Sequence, residues 1–582
     1  MKKIENMKKI NYILFALFLF TIAGCRQDFL EKKPQGELTL EQLTNQKGVN
    51  GLLTHAYSML NGNLNGTWGN YASGPSQWLL GEVTSDNAHK GSDPGDQPNM
   101  NDLERHNPNS TNDNLSAMWT RCFEGIQACN STLKILAILQ AGGSEIPFSA
   151  ARAIEVQGEA RLLRAHYYFF LARAFKNVPL ITESTTDPAV DNTADIYPSI
   201  VADLKYASDN LAAVNTQAQV GRMNKIIAQA YLGKVLLYQQ KYSEALPLLN
   251  AVIAAKGGVN AITTMPYTDN FDITKENGPE TIFSVQMSVG GDGSGGDNGN
   301  VGDMLNFPYG SDKAIAINCC GFFQPSFDLA NAFKVDANGL PFLDNSYRTN
   351  PYKSDFGVAN KANYQLDRTL AIDTRMDYTM GRRGVPFLDW GVMVGDTWIR
   401  NAANGGPFLA YKNVIDAAQI ATGSAPGTPN VTGLNINLIR LADVYLMAAE
   451  CEVEVGVLSN ALTLVNNIRT RAGLIKQKVA PDGVTKLAAY KIGLYPSFPD
   501  KTYARTAVRF ERRLELSLEG HRFYDLVRWG TLKTTLESYY GFEGTYLTYL
   551  KGLTILPRDS YFPIPQEQID RSNKVLKQNT GY

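Results

Sequence analysis

The chain is 582 residues long, 44% hydrophobic and 19% charged, with a formal net charge of -1, a globular profile with ample apolar material for a core. So even a balance, with no Lys/Arg-rich run beyond Lys2-Lys3 and Lys8-Lys9, excludes nucleic acid and anionic surfaces as partners recognised through bulk charge. By length alone there is room for about four domains, or for one continuous repeat body.

The two lysine pairs precede an apolar stretch that runs up to Cys25. It is about a dozen residues long, the length of a signal-peptide core and too short for a spanning helix, which needs roughly 20. Small Ala23 and Gly24 before Cys25 resemble a bacterial lipoprotein box. Residues 1–24 are therefore expected to be removed and Cys25 to be lipidated, with an ordinary secretory signal as the alternative. Arg26, and not Asp, follows the cysteine, which favours the outer membrane, and several acyl chains anchor more firmly than one.

A polar tether with Pro34 and Gly36 follows, then a predicted helix over Leu40–Leu60. Residues 61–114 change texture to Gly, Asn, Asp, Ser and Pro around Trp68, Tyr71 and Trp78. So long a non-repetitive stretch, rich in aromatics, reads as a functional surface region. Helical patterning resumes at Leu115 and continues with breaks to Ala255. Within it Asn224–Ile253 reads as two amphipathic helices, and Asn437–Arg469 repeats the design, Tyr231 matching Tyr445 and Ala245 matching Ala461. Gln157–Leu180 is a weaker third copy. Small residues at the crossing and an aromatic opposite resemble tetratricopeptide repeats, and one such pair cannot bury its own face, so the copies must stack into one solenoid. The expected fold class is mainly α.

Between the copies, residues 257–433 are rich in Gly, Asn, Pro and aromatics, with short strand-like runs such as Glu280–Val289. This segment reads as an excursion carrying the recognition surface. Asp292, Asp297 and Asp303 in and beside a glycine-rich run raise calcium, but EF-hand spacing is missing and no nonapeptide repeat recurs, so a mobile loop is favoured and no cofactor is expected. Cys122 and Cys129 lie about 10 Å apart along one predicted helix, too far to bridge, and Cys451 sits in an apolar helical pattern as inert packing.

Five strings together carry a resemblance: CRQDFLEKKP, RLLRAHYYFFLARAFKNVPL, GFFQPSFDLANAFKVDANGLP, AVRFERRLELSLEGHRFYDLVRWG and PIPQEQIDRSNKVLKQNTGY. They span nearly the whole mature chain, which resembles the SusD/RagB family. The resemblance implies one domain over residues 25–582, with a helical scaffold at 37–60, 115–256 and 434–540 and recognition loops at 61–114 and 257–433. It also implies four tetratricopeptide helix pairs, and a cell-surface lipoprotein that captures a nutrient, usually a glycan, as the lid of a SusC-like TonB-dependent transporter. In Arg509–Arg528, Glu511, Glu515 and Glu519 interleave with Arg509, Arg512 and Arg513 at helical spacing, so a structural ion-pair network is expected and not a catalytic or anionic-ligand site.

Neutral sugars are held by aromatic faces and by planar amides, carboxylates and guanidinium forks. One candidate set is Asn61, Asn63 and Asn65 with Trp68; the alternative for the asparagines is turn-making with Gly62 and Gly66. Asp86 is similar to a family segment near the ligand. Adjacent Cys319-Cys320 either forms a vicinal disulfide, whose rigid, weakly polar face family members turn to the ligand, or remains two packed thiols. Arg382 and Arg383 between Gly381 and Gly384, with Tyr411, offer bidentate donors for vicinal hydroxyls, with Trp390 and Trp398 half structural. The combination is similar to members that handle fructans such as levan. A glycosidase is the alternative from another class, but no carboxylate pair, nucleophile elbow or HExxH stands out, so no catalysis is expected. A repeat-based protein or peptide receptor is the third reading.

Overall fold

The computed structural model describes residues 39–63, 71–142, 146–187, 189–217, 219–290, 298–311 and 317–582. Cys25, Asn65, Trp68, Asp292 and Asp297 lie outside them. Among the described residues eight helices build the scaffold: α1 (Gln46–Ser58), α2 (Asp113–Gln140), α3 (Ala150–Phe175), α4 (Tyr197–Asn210), α5 (Lys225–Tyr238), α6 (Tyr242–Ala255), α7 (Leu441–Val455) and α8 (Leu458–Gly473). Each packs on the next, giving four helix pairs in one solenoid.

Local chemistry sets where these helices start. Asn45, Ser149 and Asn224 accept at their helix N-termini from the backbone N–H of Gly48, Arg152 and Ile227, each cap contributing about 1 kcal/mol. Close crossings need missing side chains. A Cβ on Gly125 of α2 would lie 2.5 Å from the ring of Tyr167 in α3, and one on Gly233 of α5 would lie 2.8 Å from Leu249 in α6. The Tyr167 hydroxyl then donates to Ala56 O in α1 at 2.6 Å, and Tyr445 donates to Gly258 O at 2.7 Å. Those bonds give each buried tyrosine a partner for its polar end.

The pairing differs from the sequence reading in one place. Gln157–Leu180 is not a helix pair but the body of α3 and its exit. Lys176, at φ 63°, stops the helix, and the partner α4 begins only at Tyr197. The first pair escaped periodicity because residues 59–112 separate α1 from α2.

The excursion carries short two-stranded ribbons. β1 (Ala88–Gly91) pairs antiparallel with β3 (Phe322–Pro325), and β2 (Thr281–Val285) pairs antiparallel with β4 (Ile436–Arg440), which leads directly into α7. β1 to β3 draws the two loop-rich segments, 61–114 and 257–433, into one body.

Three C-terminal helices, α9 (Lys501–Leu516), α10 (Arg522–Arg528) and α11 (Leu532–Glu543), fasten that body to the solenoid. The expected ion-pair network exists, but its partners are distant and not one helical turn away. Glu515 accepts from Arg375, Arg440 and Arg471, and Glu511 pairs with Arg375 and Arg469. Arg512 reaches Asp443 and Asp525. Burial decides this: the charged side chains fit inside only where each meets an opposite charge.

Cys122, Cys129 and Cys451 are buried free thiols, and burial pushes Cys122 up to about 12. Asp303 is also buried and accepts from Ser76 and Asn300. Among the described residues no group of three or more His, Cys, Asp or Glu is placed to hold a metal ion.

Candidate ligand-binding site

Residues 61–63, 71–78, 298–311, 317–322 and 394–400 meet along one rim of the excursion. Ser73 donates to Gly62 O at 3.0 Å, and Gly74 passes so close to Gly302 that a Cβ would lie 3.1 Å away. Trp78 belongs to the frame: it is fully buried and its indole N–H donates to Gly302 O at 2.8 Å.

Cys319 and Cys320 are joined as a vicinal disulfide, and both are half-buried. Backbone hydrogen bonds fix the turn on both sides. Phe307 N donates to Cys319 O, Cys320 N to Leu305 O, and Gly321 N to Phe307 O, at 3.0, 2.9 and 3.0 Å. Gly321 takes φ 78°, and a Cβ there would meet Arg400 and Tyr309 at 3.2 and 3.4 Å. The disulfide turn, Tyr309 and Arg400 are thus immediate neighbours. The Arg400 guanidinium lies 5.1 Å from the Tyr309 ring centroid, donates to Ser92 at 2.8 Å and pairs with Asp96. Asn318 accepts from Gly310 N at 3.1 Å, and Tyr309 N donates to Trp398 O at 3.0 Å. Sequence reasoning did not single out Tyr309 or Arg400. Each is an isolated aromatic or cation in a Gly/Asn-rich loop, and only the fold joins them.

The other expected residues distribute as follows. Asn61 and Asn63 are half-buried, and Asn63 N donates to Asn61 Oδ1 at 2.8 Å around Gly62 at φ 75°, the turn-making geometry. Asn61 also lines a cleft of about 500 Å³ with Tyr57, Arg222, Gln286 and Asn298.

Asp86 is 1% exposed and grips Arg522 at 2.7 and 2.9 Å and Arg513 at 3.1 Å. Burial pushes its carboxyl up, but the Arg513 and Arg522 charges outweigh that and hold it well below the usual carboxylate range. Its expected place at the ligand is therefore corrected to a joint in the frame.

Arg382 needs the same correction. Both of its contacting nitrogens donate to Asp377, at 2.6 and 2.9 Å, and it is 1% exposed. Arg383 is partly exposed, donates to Val394 O and lies 3.5 Å from Asp355, bracing the segment that leads to Arg400. Tyr411 packs its ring edge on Phe387, which packs on Trp398, and accepts from Lys478 at 3.3 Å. The third expected set is thus brought together, Gly381 facing Leu409 in a ribbon, but beneath the rim and not on it.

A stack of helix pairs thus supports loops that bring together amides, an aromatic ring and a vicinal disulfide on a tetratricopeptide-like scaffold. The chain belongs to the SusD family, whose model matches residues 279–582; a second model, described as starch-binding associating with outer membrane, matches residues 28–237. A SusD-like protein, P25, of Formosa agariphila is 22% identical, covering 99% of this chain and 100% of its own. A SusD-like protein of Bacteroides ovatus is also 22% identical, over 90% of this chain and 82% of its own. Among solved structures, a laminarin binding SusD-like protein superposes with a TM-score of 0.66 at 23% identity, covering 92% and 100% of the two chains. Surface glycan-binding protein A from Bacteroides thetaiotaomicron in complex with laminarihexaose gives 0.61 at 18% identity, covering 92% and 99%. No helix among the described residues is long and apolar enough to cross a membrane.

Proposed function

We propose that the protein captures a neutral oligosaccharide at the rim, without cleaving it, and passes it as a lid to a SusC-like TonB-dependent transporter. The observation that carries this reading is the half-buried Cys319-Cys320 disulfide held against Tyr309 and Arg400. A rigid, weakly polar turn beside an aromatic ring suits the C–H face of a sugar, and the guanidinium fork beside it suits paired hydroxyls. Asn61 and Asn63 extend the rim, and Arg383 positions the loop that carries Arg400. Lipidation at Cys25 anchors the chain in the outer membrane, facing outward, in keeping with the outer-membrane association named for the family model.

A fructan such as levan is the first ligand to try, on the grouping of Asn61 and Asn63 with Cys319-Cys320 at the rim. A β-glucan is the second, because two structural neighbours are named for laminarin and laminarihexaose. Titration calorimetry with levan, laminarin and starch, followed by product analysis, tests the proposal. Saturable heat with intact polysaccharide is the expected result. Shortened chains after incubation would mean an enzyme, and heat only from peptides would mean a peptide receptor; either outcome sinks the reading.

A further inference from the structure

α9, α10 and α11, with Asp86 and residues 345–348, line a cleft of about 370 Å³, at the small end of ligand-pocket volumes. Arg348, Arg505, Arg509, Arg513, Arg522 and Trp529 line it. Four of these five guanidiniums share three carboxylates: Arg513 and Arg522 hold Asp86, Arg348 and Arg513 hold Asp328, and Arg505 holds Glu454. The balance is cationic. Arg509 is the side chain that this arrangement leaves over. It lines the cleft without a carboxylate of its own among the described residues, and its guanidinium is stacked 4.7 Å from the Trp529 ring centroid, which fixes its plane. Thr531, Thr534 and Thr535 add hydroxyls to the wall.

A surplus of forked cations with hydroxyls around it is the donor set that recognises an oxyanion. We infer that this cleft is a second binding site, for a small oxyanion held by Arg509 and its neighbouring arginines, either as a free inorganic ion or as the acid group of a substituted sugar. It does not depend on the rim binding neutral glycan, because the two share no residue.

The full-length protein is titrated with inorganic phosphate, sulfate, galacturonate and glucose 6-phosphate, with glucose as the neutral control, at constant ionic strength. One saturable site for an oxyanion and none for glucose is expected. Arg509→Gln removes charge outside the paired network, so it should keep its melting temperature while weakening the anion by about tenfold or more. Tighter binding of the acidic sugars than of the inorganic ions assigns the site to a substituted sugar, and the reverse assigns it to a free ion. Absence of saturable binding by any of the four, or unchanged affinity in a folded Arg509→Gln variant, overturns the inference.

Discussion

Arg375 and Glu515, 140 residues apart in the chain, meet at 2.9 Å with both side chains wholly inaccessible to solvent. Arg375 stands in the excursion and Glu515 on the helix that backs it, so this contact joins the recognition loops to the scaffold. Glu515 also accepts from Arg440 and Arg471. Burial pushes its carboxyl up, but the Arg471, Arg440 and Arg375 charges prevail and hold it below the usual range.

Removing that carboxylate leaves three buried cations each one partner short, Arg375 keeping Asp373 and Glu511, Arg440 keeping Glu280 and Glu519, and Arg471 keeping Glu280. Glu515→Gln is expected to destabilise the fold by about 3–5 kcal/mol or to prevent folding altogether. Chemical denaturation followed by circular dichroism reads the loss; a midpoint within error of the parent would show that the arginines are satisfied without it.

His89 sits between two carboxylates, 2.9 Å from Glu104 and 2.8 Å from Glu543. Burial lowers its pKa, but hydrogen bonds to Glu104 and Glu543 outweigh this and raise it to about 9. A folded pKa above the unfolded value of about 6.5 means the stabilisation is complete below pH 6.5 and is lost as pH rises to about 9, on the order of 3 kcal/mol in all. Thermal melts from pH 6 to 9.5 should fall in the parent and change less in His89→Gln. Parallel slopes would assign the loss to other groups.

Reduction should weaken glycan capture. Opening the Cys319-Cys320 ring frees a turn that otherwise presents one face. Calorimetry with and without reductant is expected to show lower affinity after reduction, with no change in a Cys319→Ser/Cys320→Ser double variant. Mass spectrometry finding two free thiols in the native protein would end the idea.

Arg400 and Arg382 should separate cleanly. Arg400→Ala removes an exposed fork at the rim and is expected to lower glycan affinity about tenfold with little effect on the melt. Arg382→Ala leaves Asp377 buried without its bidentate partner and is expected to cost about 3–5 kcal/mol of stability. If the effects are exchanged, the rim has been drawn around the wrong arginine.

Residues Tyr231, Ala245, Tyr445 and Ala461 made the solenoid legible from sequence, because a helix pair's spacing is a local property that repeats with the helical period. The interleaved charges of Arg509–Arg528 were legible for the same reason, as composition at fixed spacing. What the charges did was not. Whether Glu515 pairs within its helix or with Arg375, whether Arg382 faces solvent or Asp377, and that Arg400 lies beside Cys320 all depend on segments distant in the chain. Only folding brings those segments together, since the cost of burying a charge is settled by whichever opposite charge the tertiary structure delivers.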